Sequence, residues 1–497
     1  MNYALFCTFA VVMTMIVVVL AYFSLLLAIS RWTGRRATNE TFYRANRQSP
    51  WFLVAFGMVG ASISGITFVS VPGMVNSIGM TYLQTCLGFI VGYLVIAFVL
   101  LPLYYRLNLT TIYSYLGQRI GRKAYKTGAS FFLLSKMSGA AVRFYVVCWI
   151  LMTLGVDSTG VRRPSGTFAD YVLFAVVVVV MTLLIWLYTR QGGIKTLVWT
   201  DTLQTASLFG ALLLIIYIVM GELDLSVGDA VATIRHSELA RVFVMDDWVS
   251  KQYFWKQFLS GAFIAIVMTG LDQDMMQKNL TCRSLHDAQK DMCTYGVAFV
   301  PANLLFLSLG VLLTLWYQRQ GIAVPAAGDN LLPQFITQTS HLSPLTPIVF
   351  MLGLVAAAFS SADSALTALT TSYCVDICER ADDERLRRRV HIGMAVVFVA
   401  FILLFKILNS TSVIDAVYIL CSYTYGPLLG LFSFGLLTRR QANDRVVPYI
   451  CVASPVVCFL LDMVVGHFTG YSFGYELLML NGLLTFTGLW LSGIRKS

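Results

Sequence analysis

Charge is scarce in this 497-residue chain. Asp, Glu, Lys and Arg fill only 12% of positions against 58% hydrophobic ones, where a soluble domain carries roughly 25% charged residues. That shortage excludes an ordinary water-soluble enzyme or scaffold, and a mean hydropathy of +0.74 points to an all-α polytopic membrane protein. Neither HExxH nor GxxxxGK[ST] occurs, so a zincin site and a P-loop are absent, and the expectation is of a chain that does not draw its energy from bound ATP and has no nucleotide partner. The ten cysteines are scattered through apolar segments. Cys374 and Cys378 stand one helical turn apart, but no Cys/His grouping has metal-site spacing, and they read as small core residues. The net charge of +10 does not indicate nucleic acid, because the basic residues sit in short loops between apolar runs, as on a cytoplasmic face beside anionic lipid.

Runs of spanning length number thirteen, near residues 3–30, 51–78, 80–105, 123–155, 168–190, 197–221, 253–279, 291–318, 347–377, 390–408, 412–437, 446–467 and 471–493. The first lacks a basic start and a small-residue cleavage site and reads as a retained helix. Basic loops alternate with poorly basic ones. Arg31, Arg35, Arg36, Arg44, Arg47, Arg106, Arg119, Arg122, the Arg385–Arg389 run, Arg439, Arg440, Arg495 and Lys496 fall on one side. Arg162, Arg163, Arg235, Arg241, Lys251 and Arg319 fall on the other. Under a thirteen-span count this places the N-terminus outside and the C-terminus in the cytoplasm of a cell membrane. The largest external loops, residues 221–252 and 317–344, are too short for a separate domain.

Three stretches carry residues that a spanning helix has little use for. Val59 to Gly79 contains Gly60, Gly65, Gly73, Gly79, Pro72, Ser62, Ser64, Thr67 and Ser70. Unpaired backbone in hydrocarbon costs several kcal/mol per group, roughly, so a helix unwinds there only where protein, water or a ligand satisfies it. A break near the midplane can present carbonyls to a small cation; small residues also let helices pack closely. Ala356 to Asp376 places Ala357, Ser360, Ser361 and Ser364 on one helical stripe with Asp363 beside it. Back-bonding explains the hydroxyls, but an intramembrane carboxylate is a functional candidate. Gly192 to Thr205 sets Asp201 a turn or more into the sixth span, where it faces interfacial water or joins Asp363 and Ser364 around a cation.

Taken together, GG-x4-VWTD-x2-Q around Asp201, the A-x2-SS run with Asp376–Ile377 after it, DAQK at Asp287–Lys290, ITFVSVPG at Ile66–Gly73 and PLYYRLNLTTIYSYL at Pro102–Leu116 make the chain resemble the sodium:solute symporters, carriers of proline, pantothenate, sugars and sialic acids. The resemblance implies a leucine-transporter-type core of two inverted five-helix repeats with a discontinuous first core helix. It divides the chain into an extra N-terminal helix and basic loop (1–50), a first repeat (51–222), an inverted second repeat (253–437) and two peripheral helices (438–497). It implies a sodium site from the carbonyls of Gly60, Ile63 and Ala357 and the hydroxyls of Ser360 and Ser361. Some members hold a second cation at the positions of Asp201, Ser360, Asp363 and Ser364. Asp363 departs from the serine or threonine frequent there, and two carboxylates around one monovalent ion repel unless one is protonated or a second cation is present.

For the solute, the resemblance implies Ser62, Ser64 and Thr67 past the break and Tyr82 and Cys86 on the second core helix. The sugar carriers' glutamate and glutamine at the positions of Cys86 and Thr67 are absent, as is their lysine near Phe299, which disfavours a neutral sugar. Arg143 lies on the helix where sialic acid carriers place a carboxylate-binding arginine, about one turn later. A buried arginine needs an anion, either a solute carboxylate or an internal aspartate. Gln84 either orients a polar solute or packs between helices. Lys136 and Lys406 read as snorkelling to an interface, Asp272 and Asp274 as helix-end acids meeting Lys278, and the five histidines as loop-proximal with no proton-relay role. The expectation is a sodium-coupled, secondary-active importer of a small organic acid or sugar acid, not an enzyme, working by alternating access in a lipid bilayer. The alternatives are an uncoupled uniporter or channel, or a transport-dead substrate sensor, on the same scaffold.

Overall fold

The computed structural model describes residues 3–35, 37–157, 167–339, 345–408, 413–469, 471 and 473–493. Arg36, Arg162, Arg163, Arg495 and Lys496, counted above among the loop charges, and His341 lie outside the described residues. Among the described residues the elements are helices, with no strand. Leaving aside the short helices Asn39–Arg44, Ser114–Arg119 and Leu331–Thr339 and single 3-10 turns, they are in chain order α1 (Tyr3–Thr33), α2 (Trp51–Ser62), α3 (Gly65–Ile78), α4 (Tyr82–Arg106), α5 (Arg122–Asp157), α6 (Phe168–Thr189), α7 (Ile194–Glu222), α8 (Val227–His236), α9 (Phe254–Gly270), α10 (Gln273–Asn279), α11 (Leu285–Arg319), α12 (Leu345–Ile377), α13 (Glu384–Leu408), α14 (Val413–Leu437), α15 (Val447–Thr469) and α16 (Leu477–Ser492).

Eight of these helices are long and apolar enough to cross a membrane, and ten spans result if each of two bent pairs counts as one. The pairs are α2 with α3, bent by 60°, and α9 with α10, bent by 70°. The first break falls at Ile63–Ser64, inside the glycine- and serine-rich stretch. The second, at Leu271–Asp272, interrupts what the hydropathy pattern reads as one span. Of the runs near 3–30, 412–437 and 471–493, the described apolar part of the first, Val17–Thr33, and α16 are shorter apolar helices, and the middle one coincides with α14.

Small residues set how closely the helices meet. α4 and α9 touch at the backbone: a Cβ on Gly88 would lie 2.0 Å from the Phe258 carbonyl oxygen, and one on Gly261 would lie 2.2 Å from that of Thr85. α2 packs on α7 and α11, α7 on α12, and α5 on both α12 and α14. The unwound joints between α2 and α3 and between α9 and α10 therefore lie inside protein rather than against lipid, which is where broken backbone is tolerable.

Candidate cation and solute site

At the first break the chain turns on Ile63, with φ −82° and ψ 87°, close to an inverse γ-turn. The Ser64 amide donates to Ser62 O at 3.1 Å, so Gly60 O loses the amide that a continuing helix would have supplied. Gly60 also brings α2 against α7, since a Cβ there would sit 1.9 Å from Thr205 Oγ1 and 3.0 Å from Thr205 Cα. Across the break stands the α12 stripe. Ser361 Oγ donates to Ala61 O at 3.1 Å and lies 3.3 Å from Ala357 O. The expected sodium ligands Gly60, Ile63, Ala357, Ser360 and Ser361 thus sit on two elements that one serine hydroxyl already joins. Their donor atoms are carbonyl and hydroxyl oxygens, the set that suits a hard cation. Among the described residues no group of three or more His, Cys, Asp or Glu stands together.

The four residues expected around a second cation are all buried and lie near one another, but their carboxylates already have partners. Ser360 Oγ donates to Asp201 Oδ1 at 3.0 Å, and Lys278 Nζ lies 2.8 Å from Asp201 Oδ2. Tyr188 OH donates to Asp363 Oδ2 at 2.6 Å, and Ser364 Oγ donates to Asp363 Oδ1 at 3.2 Å. The Gln204 amide lies between the two carboxylates.

Beside the break is a cavity of about 120 Å³, walled in part by Ser62, Ser64, Thr67, Tyr82, Arg143 and Ser361. Five of the seven expected solute residues therefore share one space, and Ser361 connects that space to the α12 stripe. Ser62 Oγ pairs with Tyr295 OH at 2.7 Å, and Tyr295 with Tyr93 OH at 2.9 Å; both tyrosines line the cavity. Cys86 is fully buried and outside the lining. Gln84 is also outside it, because Nε2 donates to Gln252 O at 2.9 Å and Oε1 accepts the Val244 amide at 3.2 Å. It fastens the loop that carries Val244 and Gln252 to α4.

Several expectations for charged groups do not hold. Lys136 does not reach an interface: it is 8% exposed, and Nζ lies 3.1 Å from Asp272 Oδ2 and 2.6 Å from Asp274 Oδ2. Asp272 is an N-cap, accepting the Asp274 amide at 2.8 Å, and it also accepts from Tyr425 OH at 2.7 Å. The two acids thus join α10 to α5 and α14 instead of meeting Lys278, which turns to α7. His391 is buried within α13, its ring nitrogens 3.0 Å from Thr189 Oγ1 and 2.8 Å from Thr370 Oγ1. Lys406 stays half-buried with Nζ 4.1 Å from the Phe174 ring centroid. Arg143 differs from both buried lysines. Among the described residues it has no ion pair and no hydrogen bond, and it lines the cavity. Asp274 Oδ1 and Ser135 Oγ are buried without hydrogen-bond partners among the described residues, on residues of the same wall.

The chain is similar to several known proteins. A sodium/sialic acid symporter of Aliivibrio fischeri is 23% identical over 464 residues, covering 88% of this chain and 86% of that one. One of Proteus mirabilis is 24% identical over 450 residues, covering 84% of each. A solved structure of a Na+-coupled sialic acid symporter, substrate-bound and outward-open, superposes with a TM-score of 0.77 at 18% identity and covers all of both chains. The family model for the sodium:solute symporter family matches residues 42–445. That match runs from ahead of the first break to beyond α14, and the chain belongs to the sodium:solute symporter family.

Proposed function

We propose that the protein imports a small, carboxylate-bearing organic solute together with Na+, by alternating access. The observation that carries this reading is the junction at Ser361: its hydroxyl joins the Ala61 carbonyl at the break to α12 and also walls the cavity. In this reading Na+ takes the Gly60, Ile63 and Ala357 carbonyls and the Ser360 and Ser361 hydroxyls. It draws the broken α2–α3 pair onto α12 and sets Ser62, Ser64, Thr67 and Tyr82 around the solute. Arg143 takes the solute carboxylate, a role supported by its having no ion pair among the described residues; guanidinium geometry suits a bidentate carboxylate. The sialic acid carriers among its relatives agree with an acidic solute.

Thirteen spans, with the N-terminus outside and the C-terminus cytoplasmic in the cell membrane, complete the proposal. The two repeats are residues 51–222 and 253–437, flanked by the 1–50 and 438–497 segments. Each repeat opens on a broken helix pair, which supports the inverted-repeat division. Each entering Na+ contributes about 2.3 kcal/mol per 100 mV of membrane potential, enough for tenfold or greater accumulation at ~1.4 kcal/mol per decade. The test is uptake of a panel of labelled organic acids, amino acids and neutral sugars into proteoliposomes with and without an inward Na+ gradient. Gradient-driven uptake of an acid supports the reading; uptake at one rate in Na+ and in choline refutes coupling.

A further inference from the structure

Every carboxylate oxygen of the two acids that face the expected second cation position already has a partner, and one of those partners is itself a cation. Asp363 Oδ1 and Oδ2 accept from Ser364 and Tyr188, and Asp201 Oδ1 accepts from Ser360. The remaining oxygen, Asp201 Oδ2, is 2.8 Å from the Lys278 ammonium. Neither Asp201 Oδ2 nor Lys278 Nζ makes a hydrogen bond to any other group among the described residues, and the two side chains are 1% and 2% exposed. Each therefore depends on the other for its charge, since an unpaired ion at that depth is strongly disfavoured. A monovalent cation against Asp201 would have to displace that ammonium or lie against it, and like charges at contact repel.

We propose that Lys278 is a built-in cation occupying the second ion position, so that the chain binds a single Na+, at the helix break, and that Lys278 is the residue that sets this stoichiometry. The proposal rests on the sodium reading above and adds to it the count of ions. Its structural logic also assigns the short helix α10 a task. α10 follows the break at Leu271–Asp272 and carries Lys278 into contact with α7, while its other end is fixed by Asp272 and Asp274 to Lys136. The ammonium is thus delivered by the second broken pair to the helix that packs against the first.

The test is equilibrium binding of 22Na+ to the purified full-length protein in detergent, with choline replacing Na+ as the background. The wild type is expected to bind one 22Na+ per chain with a Hill coefficient of one. Lys278→Gln frees Asp201 and is expected to raise the count to two, Lys278→Arg to keep it at one, and Lys278→Gln with Asp201→Asn to return it to one. Two ions per wild-type chain overturn the proposal. So does a count of one in Lys278→Gln when its first-site affinity stays within twofold of wild type, which also shows that the variant is folded. If Lys278→Gln aggregates, the wild-type count decides. Absence of saturable 22Na+ binding in the wild type is a different failure, that of the sodium reading itself, and removes this proposal with it.

Discussion

Lys136→Met isolates the cost of a buried charge in the cavity wall. Methionine keeps much of the length of the lysine stem and loses the ammonium that lies 2.6 Å from Asp274 and 3.1 Å from Asp272. The two acids do not suffer equally. Asp272 keeps the Tyr425 hydroxyl at 2.7 Å and the Asp274 amide at 2.8 Å. Asp274 Oδ2 loses its ion-pair partner, and Oδ1 has no hydrogen-bond partner among the described residues. Breaking a buried pair by removing one member costs about 3–5 kcal/mol. Domains of 150–250 residues lose roughly 2–4 °C per kcal/mol, and a chain of this length loses about half that, so the midpoint should fall by roughly 3–10 °C. Adding Asp274→Asn should recover most of the loss, whereas Asp272→Asn should not, because it leaves Asp274 stranded. The assay is thermal unfolding of the detergent-purified protein followed by the fluorescence of its nine tryptophans. A single variant within 1 °C of wild type, or a double variant no better than the single, would refute the assignment of Lys136 as the counter-ion of Asp274.

Arg143→Gln should weaken binding of an acidic solute by about tenfold to a hundredfold, as loss of charge-assisted hydrogen bonds is worth ~1.5–3 kcal/mol, while 22Na+ binding stays intact; wild-type solute affinity, read by competition in proteoliposomes, would reject the carboxylate role. Gly60→Ala sets a methyl 1.9 Å from Thr205 Oγ1 and should lower the thermal midpoint by an overpacking cost of about 1–3 kcal/mol or more. Thr205→Gly in the same chain should restore it, and an unaffected Gly60→Ala midpoint would show that α2 and α7 are less tightly apposed. Outside the spans, hydrogen bonds from Lys126 and Arg122 hold the Glu379 carboxyl below the usual glutamate range. The small stability it contributes is present above that range and is lost as pH falls through the lowered value. Glu379→Gln should therefore flatten that part of a melting-temperature-against-pH curve and change little at pH 7.

Which of these features could be read from residue order depended on distance along the chain. The break at Ile63–Ser64 was legible because Gly60, Ser62, Ser64 and Gly65 announce it locally, and the α12 stripe because residues three and four apart stack on one face. Asp201 and Asp363 drew attention as carboxylates within apolar runs. Their partners did not show: Lys278 is 77 positions from Asp201 and Lys136 is 136 from Asp272, and no local pattern encodes such pairings. The four-residue spacing of Asp274 and Lys278 suggested a helix-surface pair, but the short α10 turns Asp274 toward α5 and Lys278 toward α7. The second break did leave a signal, Gly270 followed by the N-capping Asp272 inside an apolar run. It was masked by the length of that run. Tyr82 and Gln84 sit two positions apart on α4, yet only the first walls the cavity, because the loop between α8 and α9 claims the second.

The most direct test is 22Na+ binding to the Ser361→Ala variant. Alanine removes the hydroxyl that links the Ala61 carbonyl to α12 and leaves the backbone carbonyls in place. Saturable 22Na+ binding should be lost or weakened at least tenfold while the protein remains monodisperse. Binding at wild-type affinity and stoichiometry would contradict the claim that the cation sits where the broken helix meets α12.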